Sequence, residues 1–211
     1  MDAKAPGKVS PGAGGGKSRV PTVAAAHAFH PEATVPLVGI FLPTSDALWL
    51  YGLTSKVTRD CLVDCLGRRW EVWGNRFAPI PPVVINLDKG PEHSSRRPQC
   101  MRRIVDFAPR TGWTVCGADS PPSHRKYHPS ERCWGILENH WNGALLDSIE
   151  AVIRLATTMP WQGKWPVVAL VTPTYQRGVK LTKDAMQMAE AQLQRLPGLD
   201  KWLVDSIHHA G

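Results

Sequence analysis

A short apolar stretch that ends in an acid, Val83–Glu92 (VVINLDKGPE), constrains the fold of this chain more than any other. Its β-branched and aliphatic residues predict a buried strand, and Gly90-Pro91 ends the element. In open α/β sheets, ligands bind just beyond the carboxyl ends of the strands. Asp88 is therefore the first candidate site residue, although an aspartate that caps the next helix fits the same stretch equally well.

The size and charge of the chain bound its class. Its 211 residues are 43% hydrophobic, which suits one domain of moderate size with an adequate core. The net charge of +7 and the sequence pI near 9.4 favour a polyanionic partner, nucleic acid before a membrane surface. No apolar run approaches the length that spans a bilayer, and the first residues do not open a signal peptide. We therefore expect no membrane association.

The cysteines indicate a reducing compartment. Five are scattered along the chain, and an odd number without paired CxxC spacing favours reduced thiols in a cytoplasmic protein. Cys61 and Cys65 lie four residues apart and would share one face of a helix. Buried thiols that act as small apolar residues are favoured there over a metal site.

Residues 3–22 are rich in Gly, Pro, Lys and Ser. The run from 11 to 18 approaches the phosphate-binding pattern GxxxxGK[ST], but Pro11 stands where that pattern needs glycine, and no strand is predicted before it. We interpret the segment as a flexible basic loop. Its cations either contact phosphates or are simply solvated, and they are Lys8, Lys17 and Arg19.

Hydrophobic periodicity predicts the elements that follow. Strands are predicted over 34–42, 48–53, 83–87 and 113–118, the first two as a hairpin. Helices are predicted over 54–73, 94–108, from 131 onward, 145–158 and 183–196, with a short last helix around Trp202. Ser130 and Thr182 are the predicted caps of two of these helices, and Pro98 fits only in a first turn.

This order of elements fits an α/β fold of the ribonuclease-H-like kind, a mixed sheet flanked by helices. One more strand, ending near Asp2, would complete that layout, so the first strand is predicted to be largely missing. Three carboxylates meet at one edge of such a sheet, and their positions here hold Asp2, Asp88 and Glu131. We expect a catalytic core over residues 1–158, incomplete at its N-terminus, and a helical C-terminal extension over residues 159–211.

Clustered carboxylates suit phosphoryl chemistry because magnesium prefers hard oxygen ligands. Two ions about 4 Å apart activate an attacking oxygen and stabilise the leaving oxygen during in-line displacement at phosphorus. Three acids far apart in sequence are common by chance, so spacing and element order alone are weak evidence.

Two motifs add a resemblance to a known family. Residues 85–92 (INLDKGPE) resemble the second-aspartate motif of DDE transposases from bacterial insertion sequences, and residues 121–135 (PPSHRKYHPSERCWG) resemble that family's PPYHSKYNPIERCWG. The chain is similar to the Rhodopirellula-type transposase DDE domain from Met1 to about Asp205. It departs from the family pattern at residues 125–128 and 116–120, and at the first strand.

The resemblance implies that Asp2, Asp88 and Glu131 are catalytic acids that bind two Mg²⁺ or Mn²⁺ ions. It also places His124 and Lys126 beside the site, in contact with DNA. The implied function is metal-dependent cleavage and transfer of DNA strands. Because only the end of the first strand precedes Asp2, we expect this copy to be truncated and inactive. A homo-oligomer is compatible with this interpretation.

Two alternatives stay open. One is a non-catalytic nucleic-acid-binding remnant of a transposase, which needs only the positive surface. The other is an unstable translated fragment without function. Magnesium-dependent nicking separates the first alternative from an enzyme, and a cooperative melt counts against the second.

Overall fold

The computed structural model describes residues 2–9, 33–74, 83–87, 98–111, 115–119, 129–176, 181–195 and 203–206. The strands in these ranges are β1 (Asp2–Val9), β2 (Ala33–Leu42), β3 (Ala47–Leu53), β4 (Val83–Leu87), β5 (Val115–Asp119), β6 (Val167–Val171), β7 (Leu193–Arg195) and β8 (Leu203–Ser206). The α-helices are α1 (Arg59–Trp73), α2 (Pro98–Thr111), α3 (Pro129–Trp141), α4 (Ile149–Thr157) and α5 (Lys183–Glu190). None of the helices in the described ranges is long and apolar enough to cross a membrane.

The chain divides into two compact units. The β1 unit comprises residues 2–56 and 127–174, and the β4 unit comprises residues 57–126 and 175–211 together with Met1. The predicted division into a core and an extension at residue 158 stays a prediction.

The β1 unit contains a four-stranded mixed sheet in the order β1-β2-β3-β6. Strands β1, β2 and β3 pair antiparallel, and β6 joins β3 in parallel. The predicted hairpin of β2 and β3 is confirmed, and a 3-10 turn over Pro43–Ser45 connects the two strands. Asp46 follows this turn in the left-handed conformation, and its carbonyl accepts a hydrogen bond from the indole Nε1 of Trp161 at 2.9 Å.

Helices α3 and α4 supply apolar side chains that cover the sheet of the β1 unit. Ser148 caps α4 by accepting a hydrogen bond from the backbone N–H of Ala151, which satisfies a donor that the helix leaves free. One apolar core results, and its buried members are Val35, Leu37, Leu48, Leu50, Cys133, Trp134, Leu137, Trp141, Val152, Ala156, Met159 and Trp161.

The β4 unit contains a second mixed sheet, in the order β4-β5-β8-β7. Strands β4 and β5 are parallel, whereas β8 pairs antiparallel with β5 and with β7. Helices α1 and α2 supply most of the core of this unit, and the ring of Trp70 meets that of Phe107 edge-on at 6.4 Å. Thr58 caps α1 by accepting a hydrogen bond from the backbone N–H of Cys61.

The prediction of an α/β fold with mixed β-structure is confirmed. The described strands form two four-stranded sheets, however, and not the single sheet that was predicted. The prediction of a loop from residue 3 onward is wrong for its first part, since β1 is a strand of eight residues. Asp2 is the first residue of this strand, whereas the sequence predicted it near the end of one.

Two further predictions fall after residue 158. Trp202, the centre of the predicted short helix, lies outside the described residues, and Leu203–Ser206 directly after it forms the strand β8. Helix α5 begins after its predicted cap Thr182 but ends at Glu190, and a strand follows it. The described part of the C-terminal segment is therefore not purely helical, since it contributes β6, β7 and β8 to the two sheets.

Candidate catalytic site on strand β1 and helix α3

The position of Asp2 is set by strand pairing in the β1 unit. In the antiparallel register of β1 and β2, Asp2 lies opposite Gly39, and Lys4 lies opposite Leu37. A register shift between Lys4 and Gly7 then separates this pair of positions from the rest of the strand. The Asp2 end of β1 is therefore fixed to β2 by its own short ladder.

Helix α3 packs on this part of the sheet through the ring of Trp134. A Cβ atom at Gly39 would lie 2.8 Å from Cη2 and 2.9 Å from Cζ2 of Trp134, closer than real side chains approach. Trp134 is only 5% exposed, so its ring has little room to move away. Gly39 is needed because only a residue without a side chain lets the helix come this near.

A second contact fixes the direction of α3 along β1. The ammonium of Lys4 donates a hydrogen bond to Oε1 of Glu138, one helical turn after Trp134. The side chain of Lys4 is 10% exposed, whereas that of Glu138 is 64% exposed. Trp134 thus packs on Gly39, the strand partner of Asp2, and Glu138 contacts Lys4, so α3 runs in the same direction as β1.

The position of Glu131 follows from the direction of α3 along β1. It lies in the first turn of α3, three residues before Trp134, and its side chain is partly buried. Residues three apart on a helix share a face and differ by about 4.5 Å along the axis. The turn that carries Glu131 therefore lies at the Asp2 end of the β1 unit. An acid in a first turn also interacts favourably with the helix dipole, which is its ordinary structural role.

Of the other predicted site residues, only Lys8 lies in the described part of the chain. Lys8 lies in β1 opposite Thr34. Asp88 is the residue after the last residue of β4 and lies outside the described residues. Lys17, Arg19, His124 and Lys126 also lie outside the described residues. In the described ranges no group of three or more His, Cys, Asp or Glu side chains is placed to hold a metal ion. The structure thus brings the positions of Asp2 and Glu131 to one end of one unit.

The predicted pair on α1 is confirmed as two buried free thiols, Cys61 and Cys65. A hydrogen bond from Cys65 lowers the pKa of the Cys61 thiol, and the same contact raises the pKa of the Cys65 thiol. Around them the β4 unit holds a polar cluster that was not predicted from the sequence. Arg103 pairs with Asp60 and Asp64, and Tyr175 donates a hydrogen bond to Asp64.

Gly39, Lys4 and Glu138 were also not predicted from the sequence. The available signal was Trp134, which lies inside the second motif three residues after Glu131. A glycine within an apolar strand was the other signal, because it often marks the close approach of another element.

Comparison with protein families gives these positions a context. The family model of the Rhodopirellula transposase DDE domain matches residues 1–207 of this chain. A match of this extent, on an α/β fold with mixed sheets, defines a transposase domain of the DDE class. The chain belongs to the Rhodopirellula transposase DDE domain family. No curated protein and no solved structure matches it.

Membership confirms the resemblance inferred from the two motifs and the transposase function that it implied. DNA is the partner of this class of protein, and divalent metal ions are its general cofactor. The donor chemistry of Asp2, Asp88 and Glu131 fits such an ion, since carboxylates are the hard oxygen ligands that magnesium and manganese take.

Proposed function

We propose that this chain is the catalytic domain of a transposase that cleaves DNA at a transposon end and transfers the freed 3′ hydroxyl to target DNA. The observation that carries the proposal is the packing of α3 against Gly39, the strand partner of Asp2. This packing supports a site shared by Asp2 and Glu131. Asp88 is included in the proposal on its INLDKGPE motif alone. The order of the elements from β2 to α3 along the chain matches that of a ribonuclease-H-like layout, although the described strands pair in two sheets.

In this proposal Asp2, Asp88 and Glu131 are the metal-binding acids. Two Mg²⁺ or Mn²⁺ ions, when bound, supply activation of the attacking oxygen and stabilisation of the leaving one. The chain contributes carboxylate oxygens from separate elements and holds Glu131 by the packing of α3.

Basic residues are proposed to position the DNA. Lysine and arginine neutralise phosphates and fix the register of a duplex without reading its bases. The proposed phosphate contacts are Lys8, Lys17, Arg19, His124 and Lys126.

The test is a melting titration of the full chain with Mn²⁺ and Mg²⁺, because a ligand of the folded state raises the melting temperature by mass action. We expect the ions to stabilise the wild type and to lose that effect in Asp88→Asn and in Glu131→Gln. Asp184→Asn is the matched control, since Asp184 is also an acid in the first turn of a helix. A shift that survives in Asp88→Asn or Glu131→Gln removes that residue from the site.

A nicking assay on a transposon-end duplex tests the reaction itself. Magnesium-dependent nicking that Glu131→Gln abolishes supports the enzyme. Binding of the duplex without nicking supports the alternative, a DNA-binding remnant of a transposase. The sequence-based prediction that this copy is inactive stays a prediction, and the same assay decides it.

A further inference from the structure

We propose that Trp134 and Gly39 are positioning residues that set the distance between the strand carrying Asp2 and the helical turn carrying Glu131. The inference rests on the proposed function, because it takes both acids as metal ligands. Neither Trp134 nor Gly39 has a polar side chain that would bind a metal ion. Their role is therefore to hold other residues in place.

The first step is that no free space separates Trp134 of α3 from Gly39 of β2. Ordinary contact with a Cβ atom begins at 3.4 Å, so a methyl group at Gly39 requires the Trp134 ring to recede by about 0.6 Å. The ring cannot yield alone, since Trp134 belongs to the buried core together with Leu50 and Leu137. Any added atom at Gly39 is therefore passed on to the backbone of α3.

The second step is that a displacement of α3 at Trp134 increases toward the N-terminus of the helix. The fully buried side chain of Leu137, together with the ion pair of Lys4 with Glu138, holds α3 about one turn after Trp134, and Glu131 lies on the other side of Trp134. If a rigid helix is lifted at Trp134 and held at Glu138, the displacement grows toward its N-terminus. With a rise of 1.5 Å per residue, a lift of about 0.6 Å at Trp134 becomes about 1 Å at Glu131. Ligand and catalytic geometries are sensitive to shifts of this size.

The third step is that Asp2 does not follow the helix. It lies opposite Gly39 in the ladder, so its backbone position is set by β2 and stays with the sheet. Lifting α3 therefore changes the separation of the two acids and leaves each element intact. A change in the separation of Asp2 and Glu131 without unfolding of either element distinguishes a positioning role from a purely structural role.

The same unit offers a matched control glycine. A Cβ atom at Gly52 in β3 would lie 2.5 Å from Cδ1 of Ile153, a residue of α4. Gly52→Ala thus crowds a side chain of α4 against the same sheet, but α4 carries none of the proposed metal ligands. Trp141 gives a second control, because it is a buried tryptophan at the C-terminal end of α3.

The experiment measures Mn²⁺ affinity and stability separately in the full chain. Free Mn²⁺ is quantified by its electron paramagnetic resonance signal, and stability is measured by urea unfolding without metal. We expect Gly39→Ala and Gly52→Ala both to lose stability, but only Gly39→Ala to lose Mn²⁺ affinity, by about ten-fold or more, the size typical of residues that orient metal ligands. The double variant Gly39→Ala/Trp134→Phe, in which the smaller ring makes room for the methyl group, should recover most of that affinity.

Trp134→Phe keeps the inference testable if Gly39→Ala does not fold. We expect Trp134→Phe to weaken Mn²⁺ binding and Trp141→Phe to leave it unchanged. Wild-type affinity in Gly39→Ala, or an equal loss in Gly52→Ala, overturns the positioning role while the metal site stands. A wild-type chain that does not bind Mn²⁺ overturns the proposed function, and the positioning role with it.

Discussion

The hydroxyl of Tyr175 donates a hydrogen bond to Oδ2 of Asp64 over 3.1 Å, although 111 residues separate the two in the chain. Oδ1 of the same carboxylate accepts from Arg103 of α2, and Arg103 also lies 3.2 Å from Asp60. One partly buried carboxylate on α1 therefore joins α2 and the segment after residue 174 within the β4 unit. Each of its two oxygens has a different partner.

Removing the Tyr175 hydroxyl should destabilise the β4 unit modestly. Tyr175→Phe deletes one hydrogen bond to a carboxylate that keeps Arg103, so we expect a loss of about 1 kcal/mol in the free energy of unfolding. Urea unfolding of Tyr175→Phe, Asp64→Ala and the double variant measures the coupling between the two residues. Additive losses would show that the hydrogen bond does not stabilise the fold.

The same contact predicts a dependence on alkaline pH. Burial and the neighbouring carboxylate of Asp64 raise the pKa of the Tyr175 phenol above its ordinary value. A group whose pKa is raised on folding stabilises the protein below its unfolded pKa, which is about 10 for tyrosine, and loses that contribution as the pH rises further. The stability difference between wild type and Tyr175→Phe should therefore be constant near neutrality and shrink above pH ~10. A difference that grows with pH would contradict this sign.

The ion pair of Lys4 with Glu138 should matter more than an exposed pair. Glu138→Gln leaves the mostly buried side chain of Lys4 without its carboxylate partner, but Glu138 itself faces solvent, so we expect a loss of about 1 kcal/mol. Glu71→Gln is the control, because Glu71 and Arg110 are 3.6 Å apart and both largely exposed. Thermal melts at low and high salt should show a larger effect for Glu138→Gln at both. Equal effects would mean that the burial of Lys4 is unimportant.

The core of the β1 unit should be intolerant of a cavity. Leu137 on α3 is fully buried, and Leu137→Ala removes apolar contacts from a packed interior, at a cost of about 2–5 kcal/mol. Val72→Ala, at a side chain that is 71% exposed, should change stability by about 0.5 kcal/mol or less. Urea midpoints of the two variants test the contrast. Similar midpoints would mean that α3 does not pack as described.

DNA binding should depend on charge and hardly on sequence. With a net charge of +7 and proposed phosphate contacts at lysines, affinity should fall steeply as salt rises. Lys126→Ala should weaken binding to all duplexes and reduce the salt slope by about one, whereas Lys183→Ala on α5 should have little effect. Fluorescence anisotropy with several duplexes measures both. A strong preference for one duplex at physiological salt would show that the chain reads bases.

Elements whose residues repeat at a clear period were predictable. The apolar run that ends at Gly90-Pro91 predicted β4 at its observed bounds, and the change from alternating to helical spacing separated β3 from α1. Pro98 stands at the first position of α2, as its missing N–H requires. Thr182 was predicted as a cap and accepts a hydrogen bond from the backbone N–H of Ala185.

Elements that depend on distant pairing were not predictable. Strand β1 contains Pro6 and Gly7, which have low strand propensity, and its ladder with β2 accommodates them by a register shift. The apolar run before Ser206 was too short to distinguish a helix from a strand, and pairing with β5 and β7 decided in favour of the strand.

The candidate site likewise contains residues that local sequence patterns predict and residues that only distant contacts define. Asp88 and Glu131 lie in motifs that are contiguous in sequence, so local patterns were enough to propose them. The contact of Gly39 with Trp134 joins a strand to a helix far along the chain, and it is defined only once the strand register and the packing of α3 are known. Neither residue belongs to a type that is usually considered for a metal site.

Because no free volume separates Trp134 from Gly39, we expect substitutions at the two positions to be coupled in evolution. A relative that acquires alanine or serine at position 39 must acquire a smaller side chain at position 134, either before that change or together with it. Side-chain volumes at these two columns of a family alignment should therefore vary inversely. Lineages with glycine at 39 are free to keep tryptophan at 134, and lineages that have lost that glycine are not.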